Sequence, residues 1–163
     1  MHALWAICQW LEHTGLGTTV RVSAWMFPTI EVVHIFGVVL LVGSTTVLDL
    51  RLTGLAFRED SVVKLATRFL PWTWTGFALM AITGFLLFAS ESSKMYDNVA
   101  FRIKILMIVL AGVNALVFHT LAYRKVETWN EATSPPIGAK LAGLFSLLLW
   151  FGIAIAGRMI AYL

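Results

Sequence analysis

Apolar residues run almost unbroken through four stretches of the chain, and polar residues gather between them. The stretches are residues 28–51, 71–90, 101–123 and 140–162. Each is long enough to cross a bilayer as a helix, for which about 20 apolar residues suffice. Pro28 and Pro71 suit the first turns of the first and second spans. Trp72 and Trp74 anchor the start of the second, and Gly76 and Gly84 allow close helix approach. Residues 52–70 (LTGLAFREDSVVKLATRFL) are amphipathic and read as a surface connection. ESSKMYDNVA is a short polar loop, and RKVETWNEATSPPIG holds Pro135-Pro136, which ends any helix.

Ahead of the first span, residues 3–14 place Leu4, Ile7, Cys8 and Leu11 at helical spacing. Gly15 and Gly17 interrupt, and Thr18 or Thr19 is placed to cap a second short helix to Met26. Glu12, His13 and Arg21 argue against a span here, while Trp5, Trp10 and Trp25 suit the headgroup level. Two placements remain, one in the interface and one against the end of the bundle. The pattern therefore predicts an all-α polytopic membrane protein. An N-terminal interfacial helical segment (1–27) precedes a four-transmembrane-helix bundle (28–163), with no internal repeat.

Composition agrees. The 163 residues are 59% apolar, with mean hydropathy +0.82, against about 45–50% apolar for a soluble domain. The net charge of +3 fits basic loops rather than nucleic-acid binding. Cys8 is the single cysteine, which excludes an intrachain disulfide and a cysteine metal cluster. No basic region or small-residue cleavage site marks the start of the chain, so the segment reads as retained. Loops one–two and three–four carry Arg51, Arg58, Lys64, Arg68, Arg124, Lys125 and Lys140. The opposite side carries Arg21, Lys94, Arg102, Lys104 and Arg158. Seven basic residues against five place both termini outside, on the periplasmic side of a bacterial inner membrane.

Chemistry enters with the ionisable residues inside the spans, which are costly in hydrocarbon and pose a functional question. On the first span, Glu31 and Asp49 are 18 residues apart, or about five turns and roughly 27 Å on one face. His34 lies about 60° round from Glu31 and one turn deeper. Level matching gathers Glu31, His34, Lys104 and Arg158 toward the outer end, with Met107 one turn below Lys104 and Arg102 nearby. Asp49, Arg51 and His119 fall toward the inner end.

Three chemistries could use the outer cluster. In the first, His34 is an axial ligand of b-type haem, Lys104 or Met107 the second ligand, and Arg158 or Arg102 the partner of the propionates. In the second, Glu31 and His34, on one face at i, i+3, are divalent-metal ligands, with His119 a further metal candidate at the inner end and copper the alternative cofactor. A di-iron bundle needs a second Glu-x-x-His and two further Glu, which are absent. In the third, Glu31, His34, Asp49 and His119 relay protons or ions. Structural readings compete with each: a hydrogen-bonded His34, an ion pair of Glu31 with Lys104 or Arg158, a solvated helix end at Asp49 and Arg51, an interfacial His119, and a solvated His13. Because His34 and His119 fall on opposite sides, they do not suit one haem. The phosphate loop, GxGxxG, CxxC, HExxH and GxSxG are all missing.

The run WLEHTGLGTTVRVSAWMFPTIEVVHIFGVVLLVGSTTVLDLRLTGL carries Leu-Glu, Phe-Pro, Glu-x-x-His and Asp-Leu-Arg-Leu in order. With FRIKILMIVLAGVNALVFH and AGRMIAYL it resembles an uncharacterised family of bacterial four-span membrane proteins over nearly the whole chain. A His at the outer start of a helix and a Lys opening a later one are more distantly similar to CopD-like copper-resistance proteins and HemJ-type protoporphyrinogen oxidases. By the HemJ resemblance, haem b contacts fall on His34 and Lys104. Leu41-Val42-Gly43 stands where the HemJ pattern has an aromatic-rich Trp-x-x-Gly segment. That separates the chain from the oxidase activity.

The expectation is a small cytochrome b-like subunit that carries electrons between a quinone or a periplasmic redox protein and a partner, without itself transforming a substrate. His119 would serve any second site. Two other classes stay open: a copper, ion or proton transporter, and a cofactor-free accessory subunit of a homo-oligomer or larger membrane complex.

Overall fold

The computed structural model describes residues 2–162. Met1 and Leu163, the outer limits of the predicted segments, lie outside the described residues. The chain is all-helical, with no strand among the described residues. In order come α1 (His2–Glu12), α2 (Gly15–Val22), α3 (Met26–Thr53), α4 (Val62–Ser90), α5 (Ser92–Asp97), α6 (Val99–Val117) and α7 (Ile137–Met159). A π turn (Phe118–Ala122) and a 3-10 turn (Tyr123–Thr128) continue α6. Four helices are long and apolar enough to cross a membrane: Met26–Thr53, Val62–Ser90, Val99–Thr128 and Ile137–Met159. Their outer faces expose large side chains such as Phe36, Val39, Leu106, Val113, Leu148 and Ile155. Bilayer hydrocarbon is the solvent that tolerates a surface of this kind. The protein is a multi-pass membrane protein built as a four-helix bundle.

The helices form an arc. α3 packs on α4 and α7, and α7 packs on α6, while α6 makes no extensive contact with α3 or α4. Small residues set the close crossings. A Cβ on Gly76 would lie 2.6 Å from Leu41 N and 2.9 Å from Gly37 O, and one on Gly37 would lie 3.1 Å from Met80 N. One and two turns deeper, Ser44 and Thr73 share a 2.8 Å hydrogen bond between the same helices. Against α7, a Cβ on Gly143 would come within 3.0 Å of Asp49 O. Asn114 of α6 donates to Ala142 O of α7 at 3.0 Å.

Four expectations change. The second spanning helix starts at Val62, capped by the Ser61 hydroxyl, and runs through Pro71. The second half of the amphipathic connection is therefore its first turns. Proline costs the helix the one hydrogen bond that its missing N–H would have donated. The second short helix is capped by Thr14, whose hydroxyl accepts from Gly17 N–H at 3.2 Å, and it ends at Val22. Thr18 and Thr19 instead donate to backbone carbonyls. The loop after α4 holds the short α5. The last helix begins at Ile137, directly after Pro135-Pro136.

Of the two placements for residues 1–27, contacts favour the bundle end: α1 packs on α5, and α2 packs on α4. Gly17 meets the Ala89 carbonyl, and Trp5 sits edge-on to Tyr96 at 5.5 Å. Trp10 and Trp25 remain exposed. Glu12 ties this hood down. Its carboxylate accepts from Ser93 N–H at 3.0 Å and pairs with Arg21. The Ser93 hydroxyl holds the Glu12 carboxyl below the ordinary value of 4.5, against the opposing pull of partial burial and with help from the Ser93 amide and Arg21.

Candidate functional site

The arc leaves a space between α3, α4, α6 and α7 at the hooded end, a cavity of about 490 Å³. That is within the range of small-molecule and cofactor sites, roughly 300–1,000 Å³. Glu31, His34, Lys104 and Arg158, which level matching had gathered, all line it. Its apolar walls include Val38, Val42, Met80 and Trp150. The rings of Phe88 on α4 and Phe101 on α6 stack at 5.4 Å, nearly parallel, across the gap that these two helices leave.

His34 is fixed from its Nδ1 side. Nδ1 lies 2.8 Å from the Thr83 hydroxyl oxygen on α4. The Thr83 hydroxyl donates its own hydrogen to Leu79 O one turn back. Thr83 is then the acceptor, Nδ1 carries the ring hydrogen, and Nε2 of the neutral imidazole keeps its lone pair. Gly84 makes room for the ring, since a Cβ there would stand 3.2 Å from His34 Cε1. A histidine held this way, with one nitrogen donating to a protein acceptor and the other left over, is arranged as metal-ligating histidines are.

Lys104 reaches the cavity from α6. Its Nζ lies over Gly157 of α7, 3.4 Å from where a Cβ would be, and within electrostatic range of His34. No carboxylate pairs with it and no acceptor takes its hydrogens among the described residues. Arg158 rests on its own helix, its Nη2 donating to the Tyr162 hydroxyl at 2.8 Å and its guanidinium 5.1 Å from that ring. Glu31 is exposed at the mouth and pairs with neither Lys104 nor Arg158. The expected Glu31 ion pair is therefore not made.

Other candidates lie elsewhere. Met107 turns its sulfur to α7, at the spot that Gly152 leaves open, and packs beside Ala111, Leu149 and Ile153. Arg102 bonds Tyr96 O at 2.9 Å and pairs with Asp97 at 3.7 Å, on the outside of the hood. His119 is exposed at the far end, 5.1 Å from the Tyr123 ring. Asp49 and Arg51 are buried rather than solvated, and they do not pair. Asp49 leaves Oδ2 without a hydrogen-bond partner among the described residues. Arg51 is wholly enclosed and donates to the carbonyls of Asp60, Asn130 and Ala132 at 2.6, 3.3 and 3.0 Å. It stitches the far-end loops to α3. His13 bonds Gln9 O at 2.7 Å on the exposed side of α1. No three His, Cys, Asp or Glu come together as a metal cluster among the described residues.

Sequence reasoning missed Thr83, Lys94 and Met95. The signal for Thr83 was available: His34 lies eight residues into α3 and Thr83 seven before the end of the antiparallel α4, so both sit at one depth. Lys94 and Met95 were hidden in a segment read as loop, yet both line the cavity.

No curated protein and no solved structure matches the chain. The model of a family of unknown function, DUF6644, matches residues 7–163. A four-helix membrane bundle whose Glu-x-x-His opens onto an interior cavity, matched over almost its whole length, thus belongs to the DUF6644 family.

Proposed function

We propose that this protein is a haem b-binding, cytochrome b-like electron-transfer subunit of a bacterial inner membrane, with both ends of the chain on the periplasmic side. One observation carries the reading. The His34 ring, with Nδ1 committed to Thr83, faces a cofactor-sized cavity that also holds the unpaired amine of Lys104. A half-buried lysine with no counter-charge is costly in hydrocarbon, and a partner that uses its nitrogen or its charge removes that cost. Haem b would supply a one-electron iron couple there.

The chain's residues fit the group. His34 Nε2 would be one donor to the iron, and Thr83 sets its tautomer and orientation. Lys104 would be a further donor, preferred to Met107 because the methionine sulfur is spent on the α6–α7 contact. Arg158 lines the cavity toward its mouth, where its guanidinium would pair with the acid groups of the porphyrin. Val38, Val42, Met80 and Trp150 exclude water from the deep half. His119 lies outside this reading, which uses one haem. A quinone or a periplasmic redox protein is the electron donor or acceptor.

Titration of haemin into the purified protein, followed by its visible spectrum, tests the assignment. His34→Ala loses the low-spin spectrum, Lys104→Ala converts it to a five-coordinate one, and Met107→Leu and Arg102→Gln leave it unchanged. Loss on His119→Ala with retention in His34→Ala would refute the site.

A further inference from the structure

The mouth of the cavity carries a second cation that the haem reading does not use. Lys94 lines the wall formed by α5, and Arg158 lines the wall formed by α7. Neither is tightly committed. Lys94 meets Glu91 only at 3.8 Å, with both side chains partly exposed. Arg158 has no carboxylate partner among the described residues and is parked on the neutral Tyr162. The charged groups facing this space are Lys94, Lys104 and Arg158 against Glu31 and Glu91. One of the two carboxylates is already shared with Lys94, so the space is left cationic.

Depth separates these charges from the rest of the lining. From Glu31 at the mouth to Val42 at the floor is eleven residues of α3, or about 16 Å. The floor, at Val42, Met80 and Trp150, offers no charged group. A ligand that satisfies both ends has an apolar body and acid groups at one edge.

The geometry points to a two-cation clamp: Lys94 and Arg158, on opposite walls of the mouth, each take one carboxylate of an amphipathic dianion whose apolar body fills the cavity. The inference rests on the haem reading for the identity of that body, and it adds Lys94 as a binding residue and two acid groups as the feature recognised. It also gives α5 a role, as the element that carries one of the two cations to a mouth where Asn98, at its end, already donates to Ile160 O at the end of α7 at 3.1 Å. Glu31 and Glu91 are the opposing charges, and they select against ligands with a third acid.

Iron-free protoporphyrin IX separates this clamp from iron ligation. Its fluorescence is titrated with the purified full chain in neutral detergent, beside the dimethyl ester of the same porphyrin. Wild type binds the diacid. Lys94→Gln and Arg158→Gln each weaken it about tenfold, the range of a lost charge-assisted hydrogen bond. Both variants leave ester binding unchanged, Lys94→Arg restores the diacid, and Glu31→Gln and Glu91→Gln strengthen it. Unchanged thermal melts show that the exposed substitutions leave the fold intact. If Lys94→Gln binds the diacid as wild type does, or weakens the ester equally, the clamp is wrong and the haem reading stands. Diacid binding with the expected variant pattern, but no His34-dependent spectrum with haemin, supports the clamp and removes the haem reading. Failure of wild type to bind the diacid overturns the clamp, while the haem reading stands or falls on the His34-dependent spectrum with haemin.

Discussion

At the scale of single residues, the protein turns on how one imidazole is held. Thr83 accepts from His34 Nδ1 while donating backward to Leu79 O, so its hydroxyl can take only one role toward the ring. Thr83→Val keeps the shape and removes the acceptor. It is a positioning change, and the expected result is a retained haem spectrum with affinity reduced about 10- to 100-fold. A shifted midpoint potential in redox titration marks the effect as electronic rather than a packing loss. Gly84→Val acts differently, because its added carbon meets the ring itself. It displaces His34 and removes the low-spin spectrum while the helices stay folded by circular dichroism. This is also where sequence reasoning reached its limit. Lys104 and Met107 are three residues apart, only about 60° round the helix, so spacing cannot say which faces the cavity. Gly152 decides it, by leaving a gap on α7 that the sulfur fills.

Elements are positioned by small residues and by the hood. Gly76 crosses α3 against backbone atoms that cannot yield, with Leu41 N at 2.6 Å from its would-be Cβ. Gly76→Ala is expected to cost about 1–3 kcal/mol, as overpacking does, and to lower the thermal midpoint in detergent. The hood adds a pH dependence. Glu12 is held below its ordinary 4.5 by Ser93 and Arg21. Its contribution is therefore complete above that unfolded-state value and is lost as pH falls through the lower folded value. Hydrogen exchange of α1 and α5 amides should lose protection over that acidic window in wild type and be pH-insensitive there, at the lower level, in Glu12→Gln. The spans were legible because hydrocarbon thickness demands long apolar helices. The start of α4 was not, because Pro71 marks a boundary only when the preceding residues do not continue the helix. Here Ser61 caps them and Val62, Leu65 and Ala66 pack inward.

For the whole molecule, an arc of four helices with an unfilled interior at one end places a charged mouth and an apolar floor in one space. The depth of Glu31, His34, Lys104 and Arg158 was readable from their distance along each span. Their convergence on a cavity was not, since it depends on α6 packing on α7 and making no extensive contact with α3 or α4. Basic-residue bias expects the 54–61 and 129–136 connections in the cytoplasm and the hood outside. Single cysteines placed at Arg58 and Lys94, in a Cys8→Ser background, test this: an impermeant thiol reagent on intact cells should label position 94 and spare 58. The reverse pattern would invert the topology and leave the fold untouched. The central claim is that the cavity holds haem through His34. The reduced-minus-oxidised spectrum of the protein, purified in mild detergent from haem-replete cells, tests it most directly. A sharp α-band that disappears in His34→Ala is predicted, and a colourless, fully folded preparation contradicts it.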